Sequence, residues 1–571
     1  MTHPSVAQAM TWRPEELTDL GAEWDAAAGR LLASTDTVDG ALRPTGWTGA
    51  AARASGEMIS PAVDELRQMC RALVIAAAEA RDAALTIGQA RERVLRVLAE
   101  ARQAGCAVAD DGTVSAPASA PELLVACSGG SPKAAAVLLE VRATELTHRL
   151  QDALTRLGDA DRESARAIDA AFGVASASGA VRPAGMADRA VADWPALSQD
   201  HIAEQIAAMS PGERERLIEH RPQQVGNTDG VPWEMRVAAN RINIASEILR
   251  ERRTLDRPVE DKLRAAVPPN LNPADAERLW ATLHADPALR SAAIAAHDRD
   301  ARRRLAFYET LLADVPDPVD RQRRVPRQIL AFDRARASLI ELSGDLDRAR
   351  AVGVLVPGLN TTFDGSADDV ATARRFVAGA GGTVAMITYL GGPFPTGGLV
   401  DGVADAADAR YALAMAPRLV AFSEDVERRA GDRPVTYIGH SYGGSIVGTA
   451  ERFGLTADRV IYVEAAGAGV GVHEPADWHN RNPAVIRFSM TAPGDPISAI
   501  QGIPFGSYGA DPDQLAGVVP LATGRRLTGT PMIGPSTHSD VLTEPSDAWH
   551  NILAVIAGDR EQIRVGALPH R

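Results

Sequence analysis

Apolar positions along this chain change their period near residue 327, and that change separates a helical part from one in which strands alternate with helices. From Pro14 to Leu42 they recur at Leu17, Leu20, Trp24, Ala27, Leu31, Val38 and Leu42, the near-heptad stripe of a long amphipathic helix. Arg43 to Gly49 breaks it. A second stripe runs through Ile59, Val63, Leu66, Cys70, Leu73, Ala77, Ala80, Ala84 and Ile87 to Val94 and Leu98, so residues 1–105 read as a helical hairpin. Residues 106–196 combine a turn-rich stretch to about 130, a helix from Ser131 to about Ala171, and a small-residue linker from Ser176 to Pro195. Helix-start signals at Ser198 and Ser210 then open a helical lead-in over 197–325. Within it Arg236 and Asn240, one turn apart on one face, read as polar struts against the domain that follows.

From 326 to 571 the pattern is α/β. Ile329–Phe332 and Ser338–Leu342 read as an antiparallel pair, and Ala351–Val356, Thr383–Tyr389, Val435–Ile438, Arg459–Val463 and Ala484–Met490 as buried strands. A helix from about Ala404 to Arg429 and another ending near Gly558 belong among the crossovers of a doubly wound, mostly parallel sheet.

One junction in that part carries chemistry. Val435 to Val447 is an apolar strand, then Gly439-His440-Ser441-Tyr442-Gly443-Gly444, then small residues that suit a helix. A serine at such a strand-to-helix turn sits in a strained conformation that tolerates only very small neighbours two residues away, here Gly439 and Gly443. Its hydroxyl stands clear of the sheet, as a nucleophile requires. An acid and a histidine follow in the order Ser441, Asp495, His538. Asp495, just past a strand, could fix the tautomer of an imidazole, with Glu464 as the alternative acid. His538, expected in a loop before the last helix, would take and return the serine proton. The backbone amides of Leu359, after the Ala351–Val356 strand, and of Tyr442 are the candidate oxyanion donors. His550 reads as packing, and His440 as aimed away from the hydroxyl.

Composition narrows the partners. A net charge of −14 over 571 residues lacks the clustered cations that nucleic acid or an anionic membrane surface would need. No run of eighteen apolar residues and no secretory h-region occurs, so neither a membrane span nor a Sec signal is expected, and a cytoplasmic location follows. Cys70, Cys106 and Cys127 read as reduced, and no histidine cluster accompanies them, so no metal and no cofactor is expected.

Val354-Leu355-Val356-Pro357-Gly358, Gly439-His440-Ser441-Tyr442-Gly443, Gly467 to Val472, Asp495-Pro496-Ile497 and His538-Ser539-Asp540, with the stretch from Leu197 to Ile244, resemble the successive blocks of the DUF1023 α/β-hydrolases of actinobacteria. That resemblance covers about the C-terminal two-thirds of the chain and implies an α/β-hydrolase fold over 326–571, with Ser441, Asp495 and His538 as nucleophile, acid and base. The sequence departs from the family at Glu464 to Gly469, where a Gly-Ser-Pro-Gly turn is usual, and at Phe505 to Gly509, where a histidine-glycine pair is usual. Trp47-Thr48-Gly49 at the bend of the hairpin resembles the WXG100 proteins of type VII secretion, although the Tyr-x-x-x-Asp/Glu export signal is absent after every tyrosine.

These readings lead to a serine hydrolase acting on a small-molecule carboxylic ester, lipid or other acyl. Two alternatives stand beside it: an acyltransferase, and a non-catalytic protein that binds a WXG100-like helical partner and is itself exported. Residues 391–398 or 498–520 could cap the pocket.

Overall fold

A computed structural model describes residues 3–42, 50–128, 131–176, 191–268, 271–397, 409–499, 501 and 508–566. The Trp47-Thr48-Gly49 bend and Phe505 to Ser507 lie outside the described residues, as does the side chain of Cys127. The chain divides into two compact units, one of residues 1–182 and 245–314, the other of residues 183–244 and 315–571. Among the described residues no helix is long and apolar enough to cross a membrane.

The first unit is built on three long helices, Glu15–Leu42, Ala50–Gln103 and Pro132–Ser176. Leu146, Leu150, Leu154 and Leu157 of the third are fully buried at helical spacing, against Ile87, Val94 and Leu98 of the second. Arg252 joins Asp25 at 2.7 Å and Glu309 at 3.1 Å, tying the first long helix to two later ones of the same unit. Cys70 and Cys106 are buried and in no disulfide. Two short antiparallel pairs, Ala107–Val108 with Val114–Ser115 in this unit and Val315–Pro316 with Arg324–Val325 in the other, were not evident from the sequence.

The second unit holds an eight-stranded sheet, with strands β1 Gln328–Asp333, β2 Ser338–Ser343, β3 Ala351–Val356, β4 Val384–Leu390, β5 Val435–His440, β6 Arg459–Val463, β7 Ile486–Met490 and β8 Val518–Pro520. Their spatial order is β8-β7-β6-β5-β3-β4-β2-β1. Strands β3 to β8 pair in parallel, and the antiparallel β1–β2 hairpin joins the edge at β4. All six residues of β3 and all seven of β4 are buried, as unbroken apolar runs covered on both faces must be. One face packs on Phe376, Trp549, Ile552, Val555 and Ile556, where Phe376 stacks on Trp549 at 4.9 Å.

β1 is an edge strand, and an exposed edge invites pairing with another chain. Here the lead-in segment covers it with side chains. Asn227 accepts from the Phe332 amide at 2.9 Å and donates to the Phe332 carbonyl at 3.1 Å, as a neighbouring strand would. Asn240 donates to Ile329 O at 3.1 Å. The β1–β2 register shifts between Ile329 and Ala331, and the carbonyl of Leu330, left at that bulge, accepts from Arg236 Nε at 2.7 Å. Arg236 and Asn240 are the struts their spacing suggests.

Candidate active site

Ser441 stands alone between the end of β5 and the helix Tyr442–Arg452, with φ 55° and ψ −121°. A non-glycine residue held there costs on the order of 1–3 kcal/mol, so the surroundings must impose it. They do so by close approach. A Cβ at position 443 would overlap the carbonyl oxygens of Val356 and Pro357, and one at position 358 would lie 2.6 Å from Ser441 Cβ. Only glycines let the helix start press against the exit of β3. Ser441 occupies the cap position of that helix without bonding any of its amides through the side chain, which leaves Oγ available.

Three distant residues meet at this point. His538 Nε2 lies 3.0 Å from Ser441 Oγ, and His538 Nδ1 lies 2.9 Å from Asp495 Oδ2 and 3.1 Å from Oδ1. Asp495 is 1% exposed and also accepts from the Ile497 amide at 2.8 Å. Burial pushes its carboxyl up, but the bonds from His538, Glu464 and Ile497 outweigh it and hold the group below the usual carboxylate range. An ionised carboxylate can only accept, so the imidazole proton sits on Nδ1 and the lone pair of Nε2 faces the serine hydroxyl.

His538 lies on the short helix Thr537–Thr543 and not in a loop, because Ser536 and Pro535 start a turn that a seven-residue element is too brief to announce by periodicity. Arg526 fastens that helix by bonding Ser536 at 3.0 Å and pairing with Asp540 and Glu544. His440 does point away from the hydroxyl, and its Nε2 donates to the main-chain oxygen of His538 at 2.6 Å. A carbonyl only accepts, so His440 keeps its proton on Nε2. Burial, then the proximity of His538, lower its pKa to about 4, and it is neutral at physiological pH. Neither the Arg526 clamp nor this tether could be read from spacing. His550 bonds Ser546 O within its own turn at 2.7 Å.

The Pro357-Gly358 turn lies against Ser441, and the helix that follows the serine begins at Tyr442. Asn360, at φ 66°, fixes this turn: its side chain bonds both the amide and the carbonyl of Gly397 at 2.8 Å, and its own amide reaches Pro395 O at 2.9 Å. Residues 395–397 are thereby fastened to the turn. Tyr442, the residue after the serine, contacts Tyr411 and Tyr508 edge to face at 6.3 and 6.0 Å.

Glu464, the other acid considered, follows β6 with a fully buried side chain and φ 43°. Of the two carboxyls, the one that meets the imidazole is Asp495. Glu464 stands behind it, bonded to it and accepting from the Ala492 amide at 2.9 Å.

A family model described as alpha/beta hydrolase matches residues 333–504, which include β2 to β7, Ser441 and Asp495. The uncharacterized protein Rv2079 of Mycobacterium tuberculosis is 26% identical over 317 residues, covering 51% of this chain and 43% of its own length. The uncharacterized proteins Rv0963c of M. tuberculosis and Mb0988c of Mycobacterium bovis are each 30% identical over 206 residues, covering 34% of this chain and 73% of theirs. The chain thus spans less than half the length of the first of these relatives. No solved structure gives a significant match.

Proposed function

The chain belongs to an α/β-hydrolase family, and from that premise we propose that it is a serine hydrolase that cleaves a carboxylic ester through an acyl-enzyme. One observation carries the reading: an unbroken line of hydrogen bonds from Asp495 through His538 to Ser441 Oγ, at a strained turn. Ser441 Oγ attacks the ester carbonyl while its proton passes to His538 Nε2. The oxygen that becomes negative is held by the Leu359 and Tyr442 amides, each donor of this kind being worth on the order of 3 kcal/mol in the transition state. Collapse of the tetrahedral adduct expels the alcohol, which takes the proton back from His538. Water, deprotonated by the same nitrogen, then releases the acid and restores Ser441. An alcohol in the place of that water would make the product a new ester, and product analysis separates the two outcomes.

The cluster that Tyr442, next to the serine in sequence, forms with Tyr411 and Tyr508 favours an acyl or aryl ester over a charged substrate. The test is turnover of nitrophenyl esters of graded acyl length, together with labelling by a fluorophosphonate. Ser441→Ala is expected to lower kcat by about four orders of magnitude or more and to abolish labelling, with the thermal midpoint unchanged. Turnover that survives the substitution removes the serine from the mechanism. A folded wild-type chain that neither labels nor turns over, and that co-purifies with a small helical protein, would point to the interaction role instead.

A further inference from the structure

Behind the proposed acid lies a second carboxyl whose placement is costly in three ways. Glu464 is 0% exposed, its backbone is in the left-handed region at φ 43°, and its carboxyl hydrogen-bonds that of Asp495, which is 1% exposed. A non-glycine residue in that region costs on the order of 1–3 kcal/mol, and an isolated buried carboxylate costs more. Such a residue persists when its neighbours need it. Its neighbours here are the two loops that make the site. The Glu464 amide bonds Met490 O at 2.8 Å and its carboxyl accepts from the Ala492 amide at 2.9 Å, both on the strand and loop that lead to Asp495. On either side of it, Val463 O accepts from the Ser441 amide and the Ala466 amide donates to Ser441 O, each at 3.0 Å. One short segment therefore touches the nucleophile turn with its backbone and the acid loop with its side chain.

Two carboxyls in hydrogen-bond contact need a proton between them. Asp495 already accepts from the His538 imidazole and from the Ile497 amide, which favour its anion, whereas Glu464 receives only the Ala492 amide. We propose that Glu464 is a positioning residue of the proposed hydrolase: a neutral carboxylic acid whose O–H donates to Asp495 and fixes the plane in which that carboxylate receives His538. Burial, the bond to Asp495 and the Asp495 charge all push the Glu464 carboxyl well above the usual range, with only the Ala492 amide opposing. The second negative charge that this buried pocket could not bear is thus never formed. Asp513 is a further acid whose charge acts in the same direction on Glu464.

This inference rests on the hydrolase reading for its kinetic consequences, but not for its protonation state, so the two can fail separately. Glu464→Leu removes the donor and is expected to lower kcat about 10- to 100-fold with KM little changed, as loss of a group supporting a reacting residue does. Glu464→Gln keeps a donor for Asp495 and an acceptor for the Ala492 amide, and it should recover most of what Leu loses. A Gln variant no better than Leu, or losses in affinity as large as those in kcat, would overturn the proposal. Independently of turnover, the infrared difference between wild type and Glu464→Gln at neutral pH should contain the carbonyl band of a protonated carboxylic acid. A carboxylate band in its place overturns the proposal even if Ser441 proves to be the nucleophile. A protonated band in a wild-type chain without turnover would leave Glu464 as described and remove only the hydrolase reading.

Discussion

The contacts of Arg236 allow a quantitative prediction about how the lead-in segment is held on the sheet. Its side chain is 1% exposed and makes three bonds: Nε to Leu330 O at 2.7 Å, and Nη1 to Asp425 at 2.8 Å and to Asp229 at 3.0 Å. Arg236→Met keeps most of the stem and deletes all three donors. Breaking a buried ion pair by removing one partner costs about 3–5 kcal/mol, and an orphaned carbonyl adds about 1–3 kcal/mol. Two features pull the total down. Asp425 keeps the Gly230 amide, Trp233 Nε1 and Arg428 as donors, so its charge is not abandoned. Asp229 is already held above the ordinary carboxylate range by burial, against the pull of Arg236, and without that cation it takes up a proton near neutral pH. The expected loss is therefore near the lower bound, about 3 kcal/mol, or a little over two decades in an opening equilibrium. Hydrogen exchange read by mass spectrometry on peptides spanning 225–244 and 328–333 measures that opening directly. Exchange there should quicken by about two orders of magnitude, with peptides of the 132–176 helix unchanged. The double variant Arg236→Met with Asp425→Leu should be destabilised further than the single one, since the Gly230 amide and Trp233 Nε1 then lose their buried acceptor. Acceleration below about fivefold in the single variant, or a double variant no worse than the single, would refute the claim that this charge network fastens the segment.

Two other perturbations test the geometry around Ser441. Gly443→Ala forces a methyl into the Val356 and Pro357 carbonyl oxygens, which cannot yield without opening the exit of β3; kcat should fall by about two orders of magnitude and stability by about 1–3 kcal/mol, and wild-type kinetics would contradict the close approach. His440 titrates at about 4 in the fold against 6.5 for the ordinary side chain, so between those values the unfolded chain binds more protons and stability falls as pH falls. Urea unfolding should show about 2 kcal/mol lost from roughly pH 7 to roughly pH 5 through this group, a slope that His440→Asn removes; an unchanged slope in the variant would assign the acid sensitivity elsewhere.

The residues that proved legible in sequence are those whose role depends on local rules. β3 and β4 are readable because a strand covered on both faces must be apolar throughout, and the serine turn because Gly439 and Gly443 leave no other reason for two glycines at that spacing. β8 was not read, since Val518-Val519-Pro520 is three residues long and ends in a proline that only an edge strand tolerates. The helix under His538 escaped for want of length. Asp495 and Glu464 both follow strands, and the sequence favours Asp495 as the acid with Glu464 as the alternative. Which one meets the imidazole depends on loop curvature after β6 and β7, a tertiary property with no local signature. Asn227, which stands in for a strand along β1, carries no pattern at all, because an amide side chain that pairs with both backbone groups of one residue can come from any position in the chain.

What the sequence could not convey is how little freedom the base retains. His538 is held at three points that do not share a structural element: Nδ1 by Asp495 after β7, the main-chain oxygen by His440 at the end of β5, and the helix beneath it by Arg526 from the 525–531 hairpin. Each restraint removes a different motion, namely ring rotation, withdrawal of the backbone, and tilting of the helix. Aligning a base and a nucleophile in advance is worth several kcal/mol of barrier only if the alignment does not have to be regained at every turnover. Because His440 stays neutral down to about pH 4 and Asp495 stays charged, two of these restraints persist while, in the proposed mechanism, the imidazole gains and loses a proton. The third is an arginine, which does not titrate at all in that range. In the proposed reaction, His538 is thus the group that changes its charge while the groups that restrain it keep theirs.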